Sequence, residues 1–165
     1  MKVSVKLLIV AFTVLAGAAP LSFHASADEY EAAGTLCDPI NTYAARSEER
    51  LRKFNGEIRN ISSIVDETVG VMCPILNDPS GAFQDFYVGV RNLGTAEVAI
   101  SCTLIEVFED GTKIETNRSV PVPAGAAAEL EWLAMDVTDH TFWHVFCRLP
   151  GRTSVTHMHT FDSVI

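Results

Sequence analysis

Positive charge is scarce in this chain: 12 lysines and arginines stand against 21 aspartates and glutamates, a formal net charge of −9 over 165 residues. That balance argues against nucleic acid and anionic membrane surfaces as partners. Long apolar runs are missing after residue 27, so no later segment approaches the roughly 20 residues that a transmembrane helix needs. There is no C-x-x-C, which removes zinc-finger and thioredoxin-type readings, and no G-x-S-x-G or H-E-x-x-H, which removes two common hydrolase signatures. The chain also lacks internal repeats, low-complexity stretches and any linker that would divide it. One hydrophobic core is therefore expected.

The beginning of the chain is the exception to the shortage of apolar runs. Lys2 and Lys6 precede an apolar stretch from Leu7 to Leu21, interrupted by Gly17 and Pro20 and followed by Ala25-Ser26-Ala27. This order predicts a secretory signal peptide over residues 1–27, with an A-x-A cleavage site and residues 28–165 as the mature domain. No cysteine sits at that site, so no lipid anchor is expected there. Every acidic residue follows residue 27, whereas Lys2 and Lys6 precede it, so cleavage makes the balance still more acidic. The expected location is periplasmic or extracellular.

The mature region reads as strands. Residues 141–152 run through aromatic and β-branched residues to Cys147 and stop at Pro150-Gly151, which predicts a central strand. Its odd positions, Trp143, Val145, Cys147 and Leu149, form one apolar row. Val98, Ile100, Cys102 and Leu104 form a matching row on an earlier strand. Further strands are expected over residues 66–76, 83–93, 97–108, 113–122, 129–133 and 154–161. In the second of these, Phe86, Val88 and Val90 lie on one side and Tyr87, Gly89 and Arg91 on the other. Asp110-Gly111 predicts a type I′ hairpin turn, Pro121 and Pro123 a strand end, and Pro74 an edge position or a bulge. Residues 47–56 fit either a short helix capped by Ser47 or a hairpin turning at Asn55-Gly56, with the hairpin favoured. The fold class is all-β: an antiparallel β-sandwich of about seven to nine strands.

Four cysteines, Cys37, Cys73, Cys102 and Cys147, in an exported chain favour two disulfides over free thiols. Three pairings exist. Cys37 with Cys73, clipping an N-terminal arm, and Cys102 with Cys147, crossing the core between the two apolar rows, is the favoured one.

The cysteine contexts, Val71-Met-Cys73-Pro-Ile75, Ile100-Ser-Cys102-Thr-Leu104 and Cys147-Arg-Leu149-Pro150, come after Asn60-Ile-Ser62 and the early Cys37. Together they resemble a loose group of small, uncharacterised exported four-cysteine β-domain proteins of Gram-negative bacteria. The resemblance spans most of the mature chain and implies export and a disulfide-stapled fold, but no activity. Glu48 to Lys53 departs from the polar, serine-rich run usual in that group.

Two functional readings follow. The first is a non-enzymatic binding or structural role in the cell envelope. Phe142, His144 and Phe146 alternate with the inward row of the central strand, and an aromatic row on an outer sheet face can stack on a glycan or dock an envelope protein. The second is a metal-dependent periplasmic enzyme. His157 and His159 share a strand face, with His140 and His144 as conceivable neighbours, but no third ligand is evident in the sequence. No catalytic residue, metal or cofactor is therefore expected. Asn60-Ile-Ser62 and Asn117-Arg-Ser119 match the glycosylation sequon, which carries little weight in a bacterial protein.

Overall fold

The structure, a computed structural model, describes residues 29–40, 47–75, 83–136 and 141–162. The expected signal peptide lies outside the described residues. Eleven strands are present among the described residues: β1 Glu29–Ala33, β2 Asp38–Pro39, β3 Leu51–Phe54, β4 Glu57–Asn60, β5 Val69–Pro74, β6 Phe83–Asn92, β7 Val98–Phe108, β8 Lys113–Val122, β9 Ala127–Asp136, β10 Thr141–Leu149 and β11 Thr153–Asp162. A 3-10 turn, Gly34–Leu36, and a single helical turn, α1 Ser47–Arg50, complete them. The number exceeds the expected seven to nine because the arm after residue 28 contributes two short strands, β1 and β2.

All pairings are antiparallel and form two sheets packed as a sandwich. The six-stranded sheet runs β3-β4-β11-β6-β9, with β1 on β11 beyond the stretch that β4 occupies. The five-stranded sheet runs β2-β5-β10-β7-β8, so β10 is its middle strand. The alternation explains the packing. Trp143, Val145, Cys147 and Leu149 of β10 and Val98, Ile100, Cys102 and Leu104 of β7 are all buried. They meet Phe86, Val88 and Val90 of β6, Leu130 and Trp132 of β9, and Val155 and Met158 of β11 in one cluster. No helix among the described residues is long and apolar enough to cross a membrane.

Cys37 is bonded to Cys73 and Cys102 to Cys147. Neither bond passes from sheet to sheet, as a core-crossing bridge would. Cys102 lies directly opposite Cys147 on adjacent strands β7 and β10, and Cys37 precedes β2, whose Asp38 lies opposite Met72 of β5. The two cysteine-bearing rows face the same core because they are neighbours in one sheet, not because they oppose each other across it.

Several local features differ from expectation for identifiable reasons. Residues 47–60 hold both predicted alternatives in succession: one helical turn, then a hairpin whose Asn55 and Gly56 both have positive φ, 49° and 85°, as a type I′ turn requires. At the second hairpin only Gly111 has positive φ, and its N–H donates to the Phe108 carbonyl; a turn followed by a left-handed glycine replaces the expected type I′ turn. Asp110 holds this turn by accepting from the Thr112 N–H and hydroxyl, and those bonds, the hydroxyl's first, keep its carboxyl below its ordinary pKa. Pro121 does not end β8, because β8 is an edge strand and Pro121 needs no partner on its outer side. Pro74 is the last residue of β5, beyond the reach of the two-residue β2.

Asn60 ties the loops at one end together. Its side-chain amide donates to the carbonyls of Glu67 (2.7 Å) and Leu149 (2.9 Å), and its Oδ1 accepts from the Ser62 N–H (3.0 Å). It is wholly buried, so this sequon offers no exposed amide for glycosylation. Asn60→Ala should lower unfolding stability by about 2–4 kcal/mol, because it strands buried backbone groups. Urea titration measures the change, and a loss below about 1 kcal/mol would mean that water substitutes for the amide.

Candidate functional site

Phe142, His144 and Phe146 occupy alternate positions of β10 opposite to its buried row, so they lie on the outer face of the five-stranded sheet. Phe142 is 68% exposed, and His144 and Phe146 are half-buried. Register supplies their neighbours. Phe146 is flanked by Met72 of β5 and Thr103 of β7, and Asn117 of β8 lies beyond Thr103. His144 is flanked by Pro74 and Ile105, with Glu115 beyond Ile105; Phe142 lies beside Val107. Arg148 follows on the same face next to Gly70 and Ser101.

An open groove of about 390 Å³ lies across this face. Phe146, Met72, Ile105 and Ile40 give it apolar surface, while Arg148, Glu115, Asn117 and Thr103 supply charge, donors and acceptors. The Thr103 hydroxyl donates to Asn117 Oδ1, which orients that amide. An aromatic ring with apolar and polar side chains on one open face has the make-up of a site that stacks on a flat ligand and fixes its hydroxyls. Phe142 and His144 share the face but do not line the groove. The sequence pattern does not point to Met72, Ile105, Glu115 and Arg148, and it marks Asn117 only as part of a sequon. Arg148 continues the parity of Phe146 and was within reach of that reasoning. The others required the register of three more strands.

The histidines separate. His144 belongs to the five-stranded sheet, His140 lies outside the described residues, and His157 and His159 stand on the outer face of β11 in the six-stranded sheet. There Glu129 of β9 joins them, and ligand-capable atoms of the three side chains lie within 4.8 Å of one another. Beside them Tyr87 packs edge-on against the His159 ring, with centroids 4.8 Å apart. Burial, then the negative charges of Asp85, Glu131 and Glu129, raise the Tyr87 pKa above its ordinary value.

No protein-family model and no curated protein sequence matches the chain. Solved structures do match in shape. The xylan-binding CBM22-1 domain of Xyn10C from Paenibacillus barcinonensis superposes with a TM-score of 0.56 at 7% identity, over 84% of this chain and 97% of that one. A family 35 carbohydrate-binding module from Clostridium thermocellum gives a TM-score of 0.50 at 13% identity, over 83% of this chain and all (100%) of that one. At such identities the likeness is one of fold.

Proposed function

We propose that the protein is an exported, non-enzymatic carbohydrate-binding module that holds a glycan chain on the outer face of its five-stranded sheet and works in the cell envelope or just outside it. One observation carries the reading: the open groove of about 390 Å³ in which Phe146 lies beside Met72, with Ile40 and Ile105 also on the lining and Arg148, Glu115 and Asn117 at hand. Sugar rings present a flat C–H face and a fringe of hydroxyls, and an aromatic surface with mixed polar groups complements both. The β-sandwich shared with a xylan-binding domain and a family 35 module supports the same reading. So does an acidic surface, which is unsuited to nucleic acid or anionic lipid.

The test is a screen of soluble polysaccharides and envelope glycans against the protein and its Phe142→Ser/Phe146→Ser variant. Phe142 is exposed and Phe146 half-buried, so the variant should keep its fold and nearly all its stability while losing glycan affinity at least about tenfold. Affinity unchanged in the variant, or no glycan bound by the parent, would refute the reading. A loss of several kcal/mol in stability would instead mark both rings as core under a covering segment.

A further inference from the structure

The outer face of the six-stranded sheet, remote from the groove, carries a second arrangement of side chains that stacking on a sugar does not call for. His157 and His159 project from β11, and Glu129 reaches them from β9 although β6 lies between the two strands. The residue in between is what makes this reach possible. Gly89 of β6 lies opposite both His157 and Glu129, and its missing side chain leaves the imidazole room to lie over the strand. A Cβ at that position would stand 2.3 Å from His157 Cε1 and 2.5 Å from its Nδ1, inside any permitted contact.

A β-bulge completes the geometry. The register of β11 on β6 shifts between Val155 and His157, and the extra residue is Thr156. Its hydroxyl thereby comes within 2.9 Å of His157 Nδ1, where sequence neighbours in a regular strand would point to opposite faces. With Nδ1 engaged, His157 directs Nε2 at Glu129 Oε1, 3.3 Å away. Hydroxyl or carbonyl partners of this kind fix the ring of a metal-bound histidine. In a tetrahedral zinc site with bonds of about 2.0–2.1 Å, neighbouring donor atoms stand about 3.3 Å apart; His157 Nε2 and Glu129 Oε1 already have that separation, and the three donors together lie within 4.8 Å. His159 Nε2, shielded from solvent, has no hydrogen-bond partner among the described residues, so hydrogen bonding does not account for the placing of that ring.

We infer that Glu129, His157 and His159 bind one divalent transition-metal ion of the zinc and copper type, with the remaining coordination open to solvent. Two imidazoles and a carboxylate suit these ions rather than calcium or magnesium, which take all-oxygen shells. Glu31 lies opposite His159 on β1 and Glu131 opposite Tyr87 on β9, so the surroundings add negative charge that favours a cation. No third ligand is evident in the sequence because Glu129 precedes His157 by 28 positions and is joined to it only through the register of three strands.

The experiment is titration of the untagged, oxidised full mature protein with Zn²⁺ by calorimetry, and with Cu²⁺ by electron paramagnetic resonance. One equivalent of Zn²⁺ should bind, Cu²⁺ should displace it, and the copper spectrum should show two nitrogen donors. His157→Ala and His159→Ala should each weaken binding roughly a hundredfold, and Thr156→Val, which alters no ligand, roughly tenfold. Circular dichroism of the metal-free variants should match the parent. Substoichiometric zinc, a copper spectrum with a single nitrogen donor, or equal affinity in His159→Ala and the parent would each overturn the site. Gly89→Ala should also weaken binding. If it fails to fold, Thr156→Val carries the positional test alone.

Discussion

Trp132→Ala should remove about 3–5 kcal/mol of unfolding stability, among the largest single-residue losses open to this fold. Trp132 is completely buried on β9 and packs against Phe86 with ring centroids 5.7 Å apart. Its indole Nε1–H donates to the Thr116 carbonyl of β8 at 3.0 Å. β8 and β9 are edge strands of different sheets, so this one side chain fills core volume and pins the sheets together along one open side. Trp132→Phe separates the two roles. It keeps most of the apolar burial and gives up the hydrogen bond and part of the volume, so it should cost only about 1–2 kcal/mol. Chemical denaturation monitored by circular dichroism reads both values. Equal losses in the two variants would mean that the hydrogen bond, not the packing, dominates.

Removal of the β7–β10 disulfide by Cys102→Ala/Cys147→Ala should cost a comparable amount, about 4 kcal/mol in the chain-entropy model for a loop spanning 45 residues. The bond joins residues that the strand register already places opposite each other, so it adds little to the native arrangement. It acts on the unfolded chain, which it prevents from expanding. The urea m-value of the variant should therefore rise as its midpoint falls, because a freed unfolded chain exposes more surface. A fall in midpoint with an unchanged m-value would locate the loss in native packing instead.

The sandwich was legible because its inner rows alternate cleanly. Val98 to Leu104 and Trp143 to Leu149 read as buried strand faces from residue type alone, and β10 is central because nothing in it breaks the ladder. What the sequence could not convey is lateral register. Two cysteine-bearing rows that face a common core can belong to opposite sheets or to neighbouring strands, and alternation is identical in the two cases. The same blindness hid Glu129 from His157, since the partner across an intervening strand has no fixed spacing in sequence. The bulge at Thr156 was hidden for another reason: one additional residue changes which side chains share a face, yet threonine is equally at home in regular strand. The turn at Asp110-Gly111 shows a local version of the problem. Asp-Gly suits two turn geometries, and the closing bond from Gly111 to Phe108 decides between them.

Confinement of both disulfides to the five-stranded sheet also governs how the molecule responds to tension. The bonds withhold the segments between Cys37 and Cys73 and between Cys102 and Cys147, separations of 36 and 45 residues, from any extension. At about 3.3–3.6 Å per residue each loop conceals more than about 100 Å of contour. The strands left wholly outside both loops are β1, β6 and β11, and in the six-stranded sheet β11 lies between the other two. Glu29 at the start of β1 lies opposite Phe161 near the end of β11, so a pull on the two ends peels this pair apart one ladder step at a time rather than shearing it. Tension would consequently open the histidine-bearing face first and leave the cross-linked sheet, with its groove, until last.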